Sequence, residues 1–243
     1  MGDPGFWLVA CLLGTAAFVQ SATGFGLAMV CMAGLPLAMT VRDATTLTAL
    51  LNLIVCVGVM VFNRQGINLK TFWPLIIAIC VGIPIGYYGL RAFSDVWVVR
   101  ILGIVLVTIA ASEFFRNKTI QMTPRAGIPI CIGGGILGGA FNVGGPPIVA
   151  YIYSQNWSKV QTVAVLQTIF LASGIVRNGL MFYEGDTTLP LVKTLIFSIP
   201  VVVFGIWMGK IVLDRTPLVW LRRVVFGAVL AIGIYYIWSS FAK

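Results

Sequence analysis

The sequence predicts an all-α integral membrane protein made of two inverted repeats, each a broken or re-entrant long segment followed by three transmembrane helices. Three observations carry that expectation: an apolar composition, apolar segments in the order long, short, short, short taken twice, and helix breakers at the centre of each long segment. Of the 243 residues, 59% are hydrophobic and only 9% charged. With a mean hydropathy of +1.01, the chain lies far outside the range of soluble globular domains. The net charge of +9 is scattered one or two residues at a time between apolar runs. No basic stripe meets phosphates, so the expected partner is a lipid bilayer and not nucleic acid.

The apolar segments run near 5–41, 44–62, 71–90, 97–115, 126–158, 160–183, 188–209 and 218–241. Six of these have the length of one span. The first and fifth do not, because a straight helix of about 35 residues would reach roughly 50 Å against a hydrocarbon core of about 30 Å. Each must fold back, kink strongly or cross twice. Ala22-Thr23-Gly24-Phe25-Gly26 aligns with Ala140-Phe141-Asn142-Val143-Gly144 at a shift of 118, Phe62 with Phe182 at 120, and Arg100 with Arg223 at 123. A slowly growing shift is what small loop insertions produce, and it places the repeats at 1–120 and 121–243.

Basic residues give the expected orientation, since cytoplasmic loops carry the excess of Lys and Arg. If all eight segments crossed once, the two sides would hold 7 and 8 basic residues, Arg177 set aside as intramembrane. If the first and fifth return to the side they entered from, the split becomes 5 (Arg42, Arg91, Arg100, Lys193, Lys243) against 10 (Arg64, Lys70, Arg116, Lys118, Arg125, Lys159, Lys210, Arg215, Arg222, Arg223). The bias then appears. Each half crosses an odd number of times, the halves are inverted, and both termini lie outside the cytoplasm. Inverted repeats with broken helices are a common plan of secondary transporters.

The candidate site lies at the breaks. In GGGILGGAFNVGGPP, Gly133 to Pro147, glycine and proline stand where a membrane helix should lack them unless its backbone opens. Such opening is tolerated only inside protein or beside a wet cavity. Gly144-Gly145-Pro146-Pro147 reads as a turn followed by a helix start. The free amides and positive dipole end there, about half a charge, suit an anion. Gly144, Gly145 and Pro146 would let it approach the backbone, with the amide of Asn142 beside it. The first half offers Gln20, Thr23, Gly24, Phe25 and Gly26, and two such tips meeting from opposite sides would enclose one site. Asn52, Gln167 and Asn178 are further polar candidates within spans. Arg177, the one cation inside an apolar segment, either faces a cavity or snorkels toward Glu184 and Asp186. The pairs Gly82/Gly86 and Gly205/Gly209 read as close helix packing.

Other chemistries are poorly served. Gly133-x-Gly135-x-x-Gly138 satisfies a dinucleotide pattern but lacks its strand-helix-strand setting, and there is no Walker lysine. There is no histidine, and every carboxylate lies at or beyond a span end. The five cysteines fall inside apolar runs without a CxxC spacing and read as buried free thiols. No enzyme, metal site or cofactor is expected. A coupling proton, if one is used, would travel on a weakly acidic substrate.

On Thr23-Gly24-Phe25-Gly26 with Pro36 downstream, on Gly138-Gly139-Ala140-Phe141-Asn142-Val143-Gly144-Gly145-Pro146-Pro147, and on the twofold order of segments, the chain resembles the sulfite exporter TauE/SafE family, also described as toluenesulfonate-uptake-like permeases. The resemblance covers nearly the whole chain. It implies export, or sometimes uptake, of small sulfur-containing anions such as sulfite, sulfonates or sulfoacetate across the bacterial cytoplasmic (inner) membrane. Asn142 stands where members often have glycine. The expected function is therefore a secondary transporter of such anions, one half rocking against the other in alternating access; the alternative is an anion-selective channel. A homodimer is left open.

Overall fold

Hydrocarbon leaves a backbone only itself to bond to, so the apolar runs fold as helices that stop where glycine, asparagine or charge intervenes. The computed structural model describes residues 4–62, 69–114, 122–155, 157, 159–215 and 218–241. Its helices are α1 (Pro4–Thr23), α2 (Leu27–Gly34), α3 (Val41–Phe62), α4 (Leu69–Arg91), α5 (Asp95–Phe114), α6 (Gly127–Phe141), α7 (Gly145–Tyr153), α8 (Lys159–Tyr183), α9 (Leu189–Arg215) and α10 (Leu218–Phe241). Among the described residues six helices, α1, α3, α4, α5, α8 and α9, are long and apolar enough to cross a membrane. The helix α10 is 24 residues long, with its side chains only partly described. The chain is a multi-pass membrane protein. The boundary expected between repeats, at 120 and 121, lies outside the described residues.

Both long segments are hairpins. The amide of Leu27 donates to Gln20 Oε1 at 3.3 Å, and Gly34 lies against the Leu12 side chain, so α2 runs back along α1. In the second half Ile148 lies against Gly134 and Tyr151 against Gly127, while Gln155 Nε2 donates to Met122 O at 3.0 Å. Thus α7 returns along α6, and its 9 residues rise only about 13 Å, far short of a crossing. The tips fall where the internal alignment puts them. α1 ends at Thr23 and α2 begins at Leu27; α6 ends at Phe141 and α7 begins at Gly145.

The turns need left-handed backbone. Gly24 (φ 80°) and Gly26 (φ 105°) provide it in the first tip and Asn142 (φ 60°) in the second. Asparagine is the side chain that best tolerates this region after glycine.

The halves interlock instead of standing side by side. The α6 arm packs along α4 and the α1 arm along α9; α5 pairs with α10 and α3 with α8. Exchanging each helix for its counterpart in the other half leaves these pairings unchanged. A Cβ on Gly82 or Gly86 would strike the backbone carbonyls of Ile132 or Ile136 in α6, and one on Gly205 or Gly209 those of Gly14 or Phe18 in α1. The expected packing role of these glycines is borne out, and each clamps a hairpin to a helix of the opposite half. Gly135 and Gly139, within the glycine run, do the same against Ile79 and Ile83 carbonyls.

The α4–α5 and α8–α9 turns share a face of the molecule, where Arg91 pairs with Glu184 and with Asp186, each at 2.6 Å. Eight single crossings would have set these turns on opposite faces. All five cysteines are free, with Cys31, Cys56 and Cys131 buried and Cys80 half-buried. Cys11 departs from expectation, since it is exposed on the outer surface of α1.

Candidate functional site

The two hairpin tips meet at one place inside the bundle. Gln20, Gly26, Ala28 and Met29 of the first hairpin and Gly134, Gly138, Asn142, Gly144, Gly145 and Pro146 of the second line one cavity of about 40 Å³. The spans close it with Asn52, Ile79, Phe170 and Ser173. No charged side chain of either sign is among the lining residues. What faces the cavity is backbone, carboxamides, one hydroxyl and apolar surface.

The donors come from different sources on the two sides. Helix α2 starts at Leu27, and the amides of its first turn have no acceptor within the helix. Leu27 N is taken by Gln20 Oε1, which leaves Ala28 and Met29, both on the cavity wall, to offer theirs. Helix α7 starts Gly145-Pro146-Pro147, and two prolines remove two of its first amides. The second tip compensates with a side chain: Asn142 Nδ2 is buried and has no protein partner. A buried amide without a partner costs about 1–3 kcal/mol, so this atom is set for a ligand or water. Both helix starts add the positive end of a dipole.

Around the cavity a carboxamide network fixes the tips. Gln20 Nε2 reaches Asn52 Oδ1 at 3.5 Å, and Asn52 Nδ2 donates to Phe170 O at 3.2 Å, joining α3 to α8. Gln167 Nε2 donates to Gly24 O at 3.0 Å and so holds the first tip from the other half. Thr23 Oγ1 turns inward to Val19 O and Phe25 O. Phe25 is part of the buried core.

The structure thus brings together Gln20, Gly26, Asn52, Asn142, Gly144, Gly145 and Pro146 on one wall. Thr23, Gly24, Phe25 and Gln167 lie behind it as supports. Asn178 is elsewhere, donating to Ala49 O at 3.0 Å and Gly174 O at 2.8 Å. Arg177 does not line this cavity, and it does not snorkel either, since it is 1% exposed and Arg91 holds both acidic residues. Instead Nη1 donates to the carbonyls of Gly138 and Gly139, and Nη2 reaches Ala140 O at 3.5 Å. The Gly139 and Ala140 carbonyls lie in the last turn of α6 and have no partner within the helix, whereas Gly138 O also accepts from Asn142 N at 2.9 Å. A cation at a helix C-terminus also complements the dipole. Sequence reasoning missed Ser173, one turn before Arg177 on α8. A hydroxyl in a span was the available signal; Met29, Ile79 and Phe170 carried none.

Comparison with known proteins identifies a family. A family model described as Sulfite exporter TauE/SafE matches residues 8–236. A protein of Cupriavidus necator named "Probable sulfite/organosulfonate exporter TauE" is 25% identical over 230 residues, which cover 91% of this chain and 90% of that protein. No solved structure matches the chain.

Proposed function

The chain belongs to the sulfite exporter TauE/SafE family, whose members are membrane exporters and not enzymes, and from that premise we propose that it carries small sulfur-containing anions out across the bacterial inner membrane. The carrying observation is the single cavity at which both hairpin tips converge, walled by amide donors and free of carboxylates. Sulfite, sulfonates and sulfoacetate present oxyanion oxygens that accept such hydrogen bonds, and the relative's name points to the same class. A site with amides but no fixed cation binds an anion through dipoles, which hold it without trapping it.

The inverted arrangement is supported by the 5-to-10 split of basic residues and by the Arg91 pairs, which need the fifth segment to return to the face it left. In that orientation both termini and the Arg91 cluster face outward. Access would alternate by motion of two bodies that mix the halves, α1–α2 with α9 and α6–α7 with α4, because backbone contact through glycine leaves those pairs no freedom to separate. We propose this division in place of rocking of one sequence half against the other. With no carboxylate in the cavity lining, proton coupling would ride on a weakly acidic substrate.

Proteoliposomes loaded in turn with sulfite, sulfoacetate, a sulfonate, thiosulfate or a cationic control test the reading. Saturable sulfur-anion efflux with countertransport is expected; cation flux without sulfur-anion flux would overturn it, and flux far above carrier rates would favour the anion channel. Cysteine labelling of either terminus from the cytoplasmic side of intact cells would contradict the inverted arrangement.

A further inference from the structure

The α6 C-terminal turn has a cavity on each side. Gly138 lines the central cavity, whereas Gly139 and Ala140, the next two residues, line a second, narrower one of about 20 Å³ whose wall includes Arg42, Thr45, Tyr87, Arg91, Arg177 and Asp186. Three of these six are arginines. The deepest, Arg177, has its Nη atoms on α6 carbonyls, while its Nε is buried without a partner. Its guanidinium lies 5.9 Å from the centre of the Tyr87 ring and Arg91 lies 4.7 Å from the same ring. The opposite charges nearby are Asp186 and Glu184, both engaged by Arg91, with Tyr87 Oη donating to Asp186 Oδ2 at 2.5 Å. Counting Arg42, Arg91 and Arg177 against those two carboxylates leaves one positive charge in excess. Arg42 is exposed, so the cavity opens at the surface at one end and stops at Arg177 at the other.

We propose that this second cavity is an anion-binding station for small oxyanions, distinct from the central cavity and separated from it by the turn that Arg177 pins. It rests on the reading of the protein as a sulfur-anion carrier, and it adds a second ligand position to that reading. An oxyanion here meets Arg42 at the rim and the free Nε–H of Arg177 at the base. The guanidinium is planar and presents its donors in a fixed fork, so it can hold three helix carbonyls on one edge and an oxyanion on another. Displacement of the Gly138–Ala140 turn would bring the two stations into contact. The chemical division is clear: the central site binds by neutral amides, the outer one by charge.

Isothermal titration of the purified full-length protein with sodium sulfite separates the outcomes. Two bound anions per chain are expected. Arg42→Ala should weaken one of them roughly tenfold or more, the size of a lost charged hydrogen bond, and leave the other as it was. Asn142→Gly should do the converse. Because Arg42 is exposed, its variant should melt like the parent, and Arg177→Lys, which keeps the charge but not the fork, should weaken the same anion as Arg42→Ala. One bound anion, lost in Asn142→Gly and untouched in Arg42→Ala and Arg177→Lys, would overturn the outer station and leave the carrier reading standing. Failure of the parent protein to bind or transport any sulfur oxyanion would overturn both.

Discussion

The two hairpin tips occupy equivalent places in the two halves and build the same cavity wall by different chemistry. The first turns on two left-handed glycines, Gly24 and Gly26, and the second on one left-handed asparagine, Asn142. The first supplies backbone amides from α2, which begins without proline. The second gives up two amides to Pro146 and Pro147 and supplies the Asn142 side chain in their place. Their supports differ as well: a neutral carboxamide, Gln167, holds the first tip, and a buried cation, Arg177, holds the second. What is duplicated is the geometry of approach, and what has diverged is the donor set. On the proposed reading an anion between the tips would be held unequally, with fixed backbone on one side and an adjustable amide on the other.

The largest effect should come from what the tips share. Gly86→Ala would push a Cβ into Ile136 O, and Gly205→Ala one into Gly14 O. Overpacking of this kind costs about 1–3 kcal/mol, and more where backbone must yield. Both variants should lower the melting temperature in detergent and the yield of folded protein. If only one does, the clamps are not equivalent.

Asn142→Gly attacks what the tips do not share. Glycine keeps the left-handed turn, so folding should hold, while loss of the unpartnered amide should cut sulfite efflux roughly 10- to 100-fold, the equivalent of about 1.5–3 kcal/mol for one hydrogen bond to a charged group. Unchanged efflux would remove Asn142 from the site. Asn142→Leu is the poorer test, since a branched apolar residue at φ 60° adds strain of about 1–3 kcal/mol of its own.

Gln20→Leu should act mainly on the first tip by leaving the Leu27 amide without its acceptor, and it also removes the Nε2 contact to Asn52. Loss of an N-terminal cap costs about 1 kcal/mol, visible as a modest drop in melting temperature with a partial loss of efflux. Gln167→Leu should have the smallest effect. It removes the bond to Gly24 O but also removes an unpartnered Oε1, so the net change should lie within about 1 kcal/mol. A loss of efflux as large as that of Asn142→Gly would mean that Gln167 touches substrate directly.

Much of this was legible in the chain itself. The breaks follow from helix-breaking glycine and proline, which is why the tips could be placed near Gly24 and Gly144; that Asn142 itself makes the second turn, with Gly145 already helical, was not read from the sequence. The stripes Gly82/Gly86 and Gly205/Gly209 announced close approach by another helix. They could not say which helix, because the partner surface is backbone and every residue has one. For the same reason Arg177 could be recognised as a charge out of place while its partners, three carbonyls of α6, had no signature. Thr23 and Asn178 were drawn toward the site by polarity alone; Thr23 Oγ1 donates to backbone of its own hairpin, and Asn178 Nδ2 donates to Ala49 O and Gly174 O while its Oδ1 is buried without a partner.

By itself the sequence determined that the chain is an all-helical membrane protein and where its two long segments break. Those properties depend on composition, length and backbone preference, which are local. Only the tertiary structure decided that the breaks are hairpins, that each hairpin is clamped to a helix of the opposite half, and that seven of the expected site residues share one cavity while Arg177 belongs to another. These depend on how helices pack. In this protein that packing runs through glycine and main-chain carbonyls, whose chemistry is the same at every position and is distinguished only by where the fold puts it.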